Sequence, residues 1–327
     1  MNGSFKCRYT EVMIHQTKAV YVENEQIKVG ILAGKGADVF ELLHKPTGTD
    51  ALLRTQRGLD VLKGRDFSVQ KACNYAEFYE GGWQDVLPLR ALWQDKKICG
   101  ENAGEAATIA WNFDVLHCCE DKVNIKFWAM LPVLPLYVEK VFTMYSEIPK
   151  LFMQETVTNL SDNRINFSWT QHPAFGGTFL ESGMEIRIPS ETAFDYCNFM
   201  LSDKGEQRKY FHLLKSMPTN FGNYCDLSIV PEHSTGLRMF YTIPYLRQGT
   251  YHIINEYKRV AVSLDWDLST FPHLWYWMEC CDDFFTVALE PSTTYLPDTH
   301  EECNGGMITL ESGKSISTWI NISIYNV

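Results

Sequence analysis

The chain has 327 residues, with 29 Lys and Arg against 40 Asp and Glu, a formal charge of −11. Hydrophobic residues make up 45% and aromatic ones 13%, too much apolar surface for a disordered chain. The negative charge argues against a nucleic-acid or anionic-membrane partner, either of which needs a basic face. No run approaches the ~18 consecutive apolar residues of a transmembrane helix.

Met1-Asn-Gly-Ser-Phe-Lys6 lacks the charged-then-apolar layout of a signal peptide, which reads as a cytoplasmic protein. Alternation then dominates the chain. Ile27, Val29 and Ile31 alternate with Lys28 and Gly30, and Val123, Ile125, Phe127 and Ala129 alternate with Asn124, Lys126 and Trp128. Val260, Val262, Leu264 and Trp266 repeat the pattern, as do Ile320, Ile322 and Ile324. Each predicts a strand with one buried face. Short turns separate them: Lys45–Asp50, Ser161–Asn163, Glu181–Gly183 and Glu311–Gly313. Only Ser202–Leu214 has a weak helical look. The absence of a βαβ rhythm excludes a parallel α/β sheet and points to large antiparallel sheets packed face to face, an all-β protein. No fixed-period repeat and no linker breaks residues 1–327, so one domain is the simplest account.

The ten cysteines include no Cys-x-x-Cys. Cys118-Cys119 and Cys280-Cys281 are vicinal pairs inside apolar runs, and neighbours on a strand point to opposite faces. Such pairs suit neither a disulfide nor a shared metal and read as buried free thiols. The nine histidines lack metal-ligand spacing, and no Gly-x-Gly-x-x-Gly, Walker loop, His-Glu-x-x-His or Gly-x-Ser-x-Gly is present. Neither a metal nor a cofactor is expected.

Four segments gather polar groups beside aromatics and glycines: Tyr79–Pro88, Asn102–Trp111, Asn166–Gly176 and Val287–Thr294. Glu290 ends an apolar strand, where a carboxylate is placed for proton transfer or simply meets solvent. His172 is either an acid–base group or a hydrogen-bonded core histidine. Trp83 and Trp275 are ligand platforms or core filler. Phe271–Trp277 alternates His273, Trp275 and Trp277 on one face, which either meets a ligand or packs into the core.

In this order the segments resemble the aldose 1-epimerase, or galactose mutarotase-like, superfamily. The resemblance starts at Gly36–His44 and runs through Gly81–Trp83, Gly104–Trp111, Val157–Ser161, Trp169–Phe175 and Glu290 to Leu310–Ser315. It implies a β-supersandwich whose ligand is a small sugar and whose activity is anomer interconversion without a cofactor. Glu290 would then be the base at the anomeric hydroxyl and His172 the acid at the ring oxygen, on opposite sides of the ring. Trp83, Gln84, Asp85, Glu105, His273 and Trp275 would bind the sugar. One departure stands out. The family phrase His-Gly-x-Ala-Arg reads Ala103-Gly-Glu-Ala-Ala107 here, so both its His and its Arg are alanine. That favours a neutral sugar over a sugar phosphate, makes His273 the candidate substitute donor, and leaves a non-catalytic sugar-binding protein as the alternative.

Overall fold

The computed structural model describes residues 6–68, 75–94, 96–98, 103–201, 207–295 and 306–327. Two large antiparallel sheets carry the alternating segments. In hydrogen-bonded order the larger runs Arg8–Ile14, Thr17–Glu23, Ile27–Leu32, Asp38–His44, Trp83–Trp93, Ile165–Phe175, Phe284–Ser292, His273–Cys281, Leu237–Ile243, Thr192–Asp195 and Phe211–Leu213. The second runs Glu185–Arg187, Thr250–Asn255, Val260–Trp266, Ser315–Asn326, Lys150–Asn159, Leu136–Tyr145, Lys122–Met130 and Asn112–Cys119. The all-β expectation is met, and the period-two stripes do what alternation predicts. Val123, Ile125, Phe127 and Ala129 are all buried while their neighbours are half-exposed. One apolar cluster draws residues from Cys7 to Ile324. No helix among the described residues is long and apolar enough to cross a membrane.

Two expectations shift. Of the proposed helix 202–214, residues 202–206 lie outside the described residues. Gln207–Tyr210 is a single 3-10 turn, and Phe211–Leu213 is a strand. The α-helix is Tyr196–Leu201, upstream of that window. Edge pairing with Thr192–Asp195 takes Phe211–Leu213, so tertiary context overrides local propensity. Nor are all the vicinal thiols buried. Cys280 is buried and Cys281 half-buried, but Cys118 and Cys119 are both exposed. They end an edge strand after a register shift between Val115 and His117, beyond the cover of the core.

Between the sheets lies a charged cluster. Lys140, from the second sheet, pairs with Asp85 of the first, and both are almost fully buried. The Trp169 indole N–H donates to Asp85 at 2.9 Å. Gln171 donates to Asp85 and, at 2.9 Å, to Glu155, while its own carbonyl accepts from the Trp83 indole at 2.7 Å. Lys140 also donates to the Gly36 carbonyl at 3.2 Å and stands 4.8 Å from the centre of the Trp111 ring. Burial, with the Asp85 charge next in importance, pushes the Glu155 carboxyl well above its ordinary range.

Trp83 and Asp85, expected to bind sugar, therefore face the interior. Their side chains alternate with that of Gln84 along Trp83–Trp93, and the odd positions point between the sheets. Glu105 is corrected likewise. It is fully buried in the 3-10 turn Glu105–Thr108, where its carboxylate accepts the Val133 N–H at 2.7 Å and holds the 131–134 loop. Burial raises its carboxyl from 4.5 to about 7 despite that bond.

Removing one partner of a buried ion pair costs ~3–5 kcal/mol, whereas removing both can be nearly neutral. Lys140→Met should lower unfolding stability by about that amount, and Lys140→Met with Asp85→Asn should recover most of it; urea titrations read both. The raised Glu105 carboxyl means that the folded protein holds its proton more tightly than the unfolded chain. Its contribution is complete below pH 4.5 and is lost as pH rises through about 7. Glu105→Gln keeps an acceptor for Val133 and cannot ionise. Its melting temperature should gain on wild type progressively from pH 5 to pH 8, measured by calorimetry; a constant difference across that range would contradict the assignment.

Candidate functional site

Gly81 and Gly82 begin the site. Their φ values are +95° and +80°, and a Cβ on either would stand 2.3 Å from the Leu53 carbonyl oxygen or 2.5 Å from that of Val39. Only glycine passes there, and the turn it makes sets the register of Trp83–Trp93.

Register does the rest. Gln84 pairs with His172. Thr170 pairs with Ser292 and Ala174 with Ala288, which brings His172 opposite Glu290. Glu290 pairs with Trp275, and Trp275 with Thr242. Five adjacent strands thus lay Gln84, His172, Glu290, Trp275 and Thr242 in one row, on the face turned away from the second sheet. Cross-strand neighbours on one face have Cβ atoms within ~5 Å, so each side chain in the row meets the next.

His172 and Glu290 do not stand apart to flank a ring. His172 Nδ1 is 3.0 Å from Glu290 Oε1, within ion-pair distance but without hydrogen-bond alignment. The expectation of opposite sides fails because the two residues are direct cross-strand neighbours. Both are buried, at 9% and 5% exposure. Three rings enclose the imidazole: Tyr79 at 5.4 Å, Trp277 at 5.7 Å and Tyr75 at 6.1 Å between centroids.

The remaining expected residues divide. Gln84 is in the row and fully buried; its amide donates to the Gly81 carbonyl, and its Oε1 has no partner. Trp275 is in the row, its indole N–H spent on the Thr294 carbonyl at 2.9 Å and its ring set edge-on against Phe240. His273 shares the face but pairs with Ser292, one step diagonal from Glu290, and its ring meets Tyr295 at 5.9 Å. Burial lowers its pKa, so the imidazole is neutral. It is not among the rings around His172, but it stands diagonally across from Glu290. Of the segment Asn102–Trp111, Asn102 lies outside the described residues, and Ala107 is fully buried.

Sequence reasoning missed Tyr75 and Thr242 and passed over Tyr79 and Trp277 as site residues. The available signal was their placement. Tyr79 opens the segment that contains the Gly-Gly turn, and Trp277 continues the alternation of His273 and Trp275.

Unpartnered buried polar atoms gather here. Gln84 Oε1, Thr242 Oγ1 and the hydroxyls of Tyr75 and Tyr79 have no hydrogen-bond partner, and His172 Nδ1 has no aligned one. Each such group costs ~1–3 kcal/mol when left unbonded. Tyr75, Tyr79, Gln84, Trp275 and Trp277 bring no positive charge to the pair. Among the described residues no group of three or more His, Cys, Asp or Glu could hold a metal ion.

No protein-family model and no curated protein sequence matches the chain. Solved structures match its fold along nearly its whole length. A galactose mutarotase-like protein from Clostridium acetobutylicum superposes with a TM-score of 0.69, covering 98% of this chain and 99% of its own at 16% identity. A candidate aldose 1-epimerase from Klebsiella pneumoniae gives 0.71, covering 98% of this chain and 83% of its own at 12% identity. A galactose mutarotase-like protein from Lactobacillus casei gives 0.62, covering 94% and 100% at 15% identity. The chain has the all-β galactose mutarotase-like fold.

Proposed function

We propose that the protein binds an uncharged aldose at the row from Gln84 to Thr242 and interconverts its anomers by proton transfer at His172 and Glu290. The observation that carries the reading is the contact of a histidine with a carboxylate, 3.0 Å apart, beside polar atoms that lack partners. The solved structures that share the fold and are described as mutarotase-like support it.

Contact between acid and base suits this reaction. The anomeric hydroxyl oxygen and the ring oxygen are bonded to the same carbon, so one compact pair can reach both from one side. Glu290, as carboxylate, takes the proton from the anomeric hydroxyl. The O–H electron pair becomes the second bond of the C1 carbonyl, and the bond from C1 to the ring oxygen breaks. The ring oxygen keeps that electron pair and takes a proton from His172. Rotation about C1–C2 and the reverse steps close the other anomer and restore both side chains. With Nδ1 turned to Glu290, Nε2 is the ring nitrogen left for substrate. Sugar C–H faces would lie on the indoles of Trp275 and Trp277. A phosphate group would meet the Glu290 carboxylate, and Tyr75, Tyr79, Gln84, Trp275 and Trp277 offer it no cation, which favours a neutral sugar.

The alternative, a sugar-binding protein without catalysis, draws on Ala103 and Ala107, where the resembling family has His and Arg. A buried acid–base contact is its weak point, because binding alone needs no proton to move. Anomer-exchange NMR across a panel of neutral aldoses separates the two. Positioned acid–base groups contribute ~10²–10⁴-fold in rate, so Glu290→Gln and His172→Asn should each lower exchange by at least ~10² while circular dichroism stays unchanged. Folded variants that exchange at the wild-type rate would remove both residues from the mechanism.

A further inference from the structure

The residues of the turn before the Gly-Gly bend carry an inference of their own, which rests on the reading above. Tyr75 and Tyr79 flank the Tyr75–Phe78 3-10 turn. Both phenol oxygens are buried and neither has a hydrogen-bond partner. Their rings stand against each other at 5.8 Å and against the His172 ring at 6.1 and 5.4 Å. Gly104 is packed on Tyr75, since a Cβ on that glycine would come within 3.2 Å of the tyrosine Cβ. The turn that contains Ala103 is thereby closed off by a tyrosine. On its outer side Tyr79 lines an open pocket of about 410 Å³ with Thr55, Arg57, Glu279 and Phe284, so the turn lies at the boundary between the site and solvent.

We propose that Tyr75 and Tyr79 are the substrate-binding hydrogen-bond donors of this site, their hydroxyls aimed at sugar oxygens beside the His172–Glu290 pair. The row itself is rich in acceptors: the Glu290 carboxylate and the free Gln84 carbonyl. A sugar also presents acceptors, the ring oxygen among them, and these need donors. A phenol both donates and accepts, but here its proton is held in place. Burial, followed for Tyr79 by the charge on Glu290 and for Tyr75 by Tyr79 and then Glu290, raises both groups well above their ordinary range. Nothing at neutral pH removes that proton, so each hydroxyl remains able to donate. When the ring opens, its oxygen gains negative charge, and a donor fixed beside it stabilises that charge most.

Stability and function part company at such a residue. A buried hydroxyl with no partner costs the free protein its desolvation, so Tyr→Phe at either position should leave the melting temperature unchanged or raise it. A structural tyrosine would show the reverse. The experiment compares wild type, Tyr75→Phe, Tyr79→Phe and the double variant by thermal unfolding, with and without neutral aldoses, and by anomer-exchange NMR. Losing a donor to developing charge costs on the order of 10²–10³ in rate. The double variant should fall by about that factor with kcat reduced, while its sugar-free melting temperature holds or rises. Exchange within twofold of wild type in the double variant would overturn the proposal, as would a lower melting temperature with undiminished exchange. Should wild type exchange no anomer, the catalytic reading fails and the sugar-dependent melting shift decides. A shift present in wild type and lost in the double variant upholds the two donors. A shift retained in that variant, or absent from wild type, overturns them.

Discussion

The Lys140–Asp85 pair ties the site to the fold. It joins the two sheets immediately behind the row that carries His172, and it brings Gln171, Trp169, Trp83 and Glu155 with it. Buried charge is expensive, and the cluster meets the cost in two ways. Burial holds the Glu155 carboxyl well above its ordinary range, which disfavours a second charge beside Asp85, and the Gln171 amide finds partners for both hydrogens and its oxygen. Strand register follows from this. Asp85 must point inward to reach Lys140, and Gln171 inward to reach Asp85 and Glu155, so Gln84 and His172 must point outward. A slip of one residue would exchange the two sets and bury His172 against Lys140. The position of the candidate acid thus depends on a pair that never meets the substrate.

Gln171 and Gln84, on opposite faces of the larger sheet, differ in hydrogen bonding. Behind the sheet, Gln171 is fully satisfied. In front, Gln84, Thr242, Tyr75 and Tyr79 each hold a polar atom without a partner. Buried polar groups are ordinarily paired, and the free protein bears the imbalance as lost stability. A second buried cluster stands close by, where Lys35 donates to Asp38 at 2.5 Å and to Glu80 at 2.8 Å. Burial raises the Asp38 carboxyl despite Lys35. Glu80 directly follows Tyr79, so this cluster anchors the end of the tyrosine turn as the Lys140 cluster anchors the strands.

Period-two patterns were legible because they depend on neighbours in sequence. Val123–Ala129 and Val260–Trp266 follow directly from alternation, and so does the shared face of His273, Trp275 and Trp277. Which face meets a ligand was not legible for Trp83 and Asp85. That choice is made by Lys140, more than fifty residues away, and the segment reads equally well in either orientation. The contact between His172 and Glu290 was out of reach for the same reason, since it rests on pairing across more than a hundred residues. Glu105 looked like a site residue because a glycine and a tryptophan flank it, yet the Val133 N–H is what it binds. Tyr75 carries no local signal at all. Its role comes from a turn folded over a sheet whose strands lie elsewhere in the chain.

These origins divide the site. Proton transfer belongs to the sheet: His172 and Glu290 are held by ladder pairing on strands continuous with the core, and rigid elements fix reacting groups better than loops do. In the proposed function, holding of the sugar falls to the turn Tyr75–Phe78 and its neighbour Tyr79, which are attached through Gly81 and Gly82 and packed against Gly104. Turns tolerate change that a sheet with satisfied register does not. The fold can therefore keep one acid–base pair while the turn above it changes which sugar oxygens are held. Alanine at 103 and 107 fits that division: the proposed acid–base pair lies on the strands, and the proposed donors lie on the turn at Tyr75 and Tyr79.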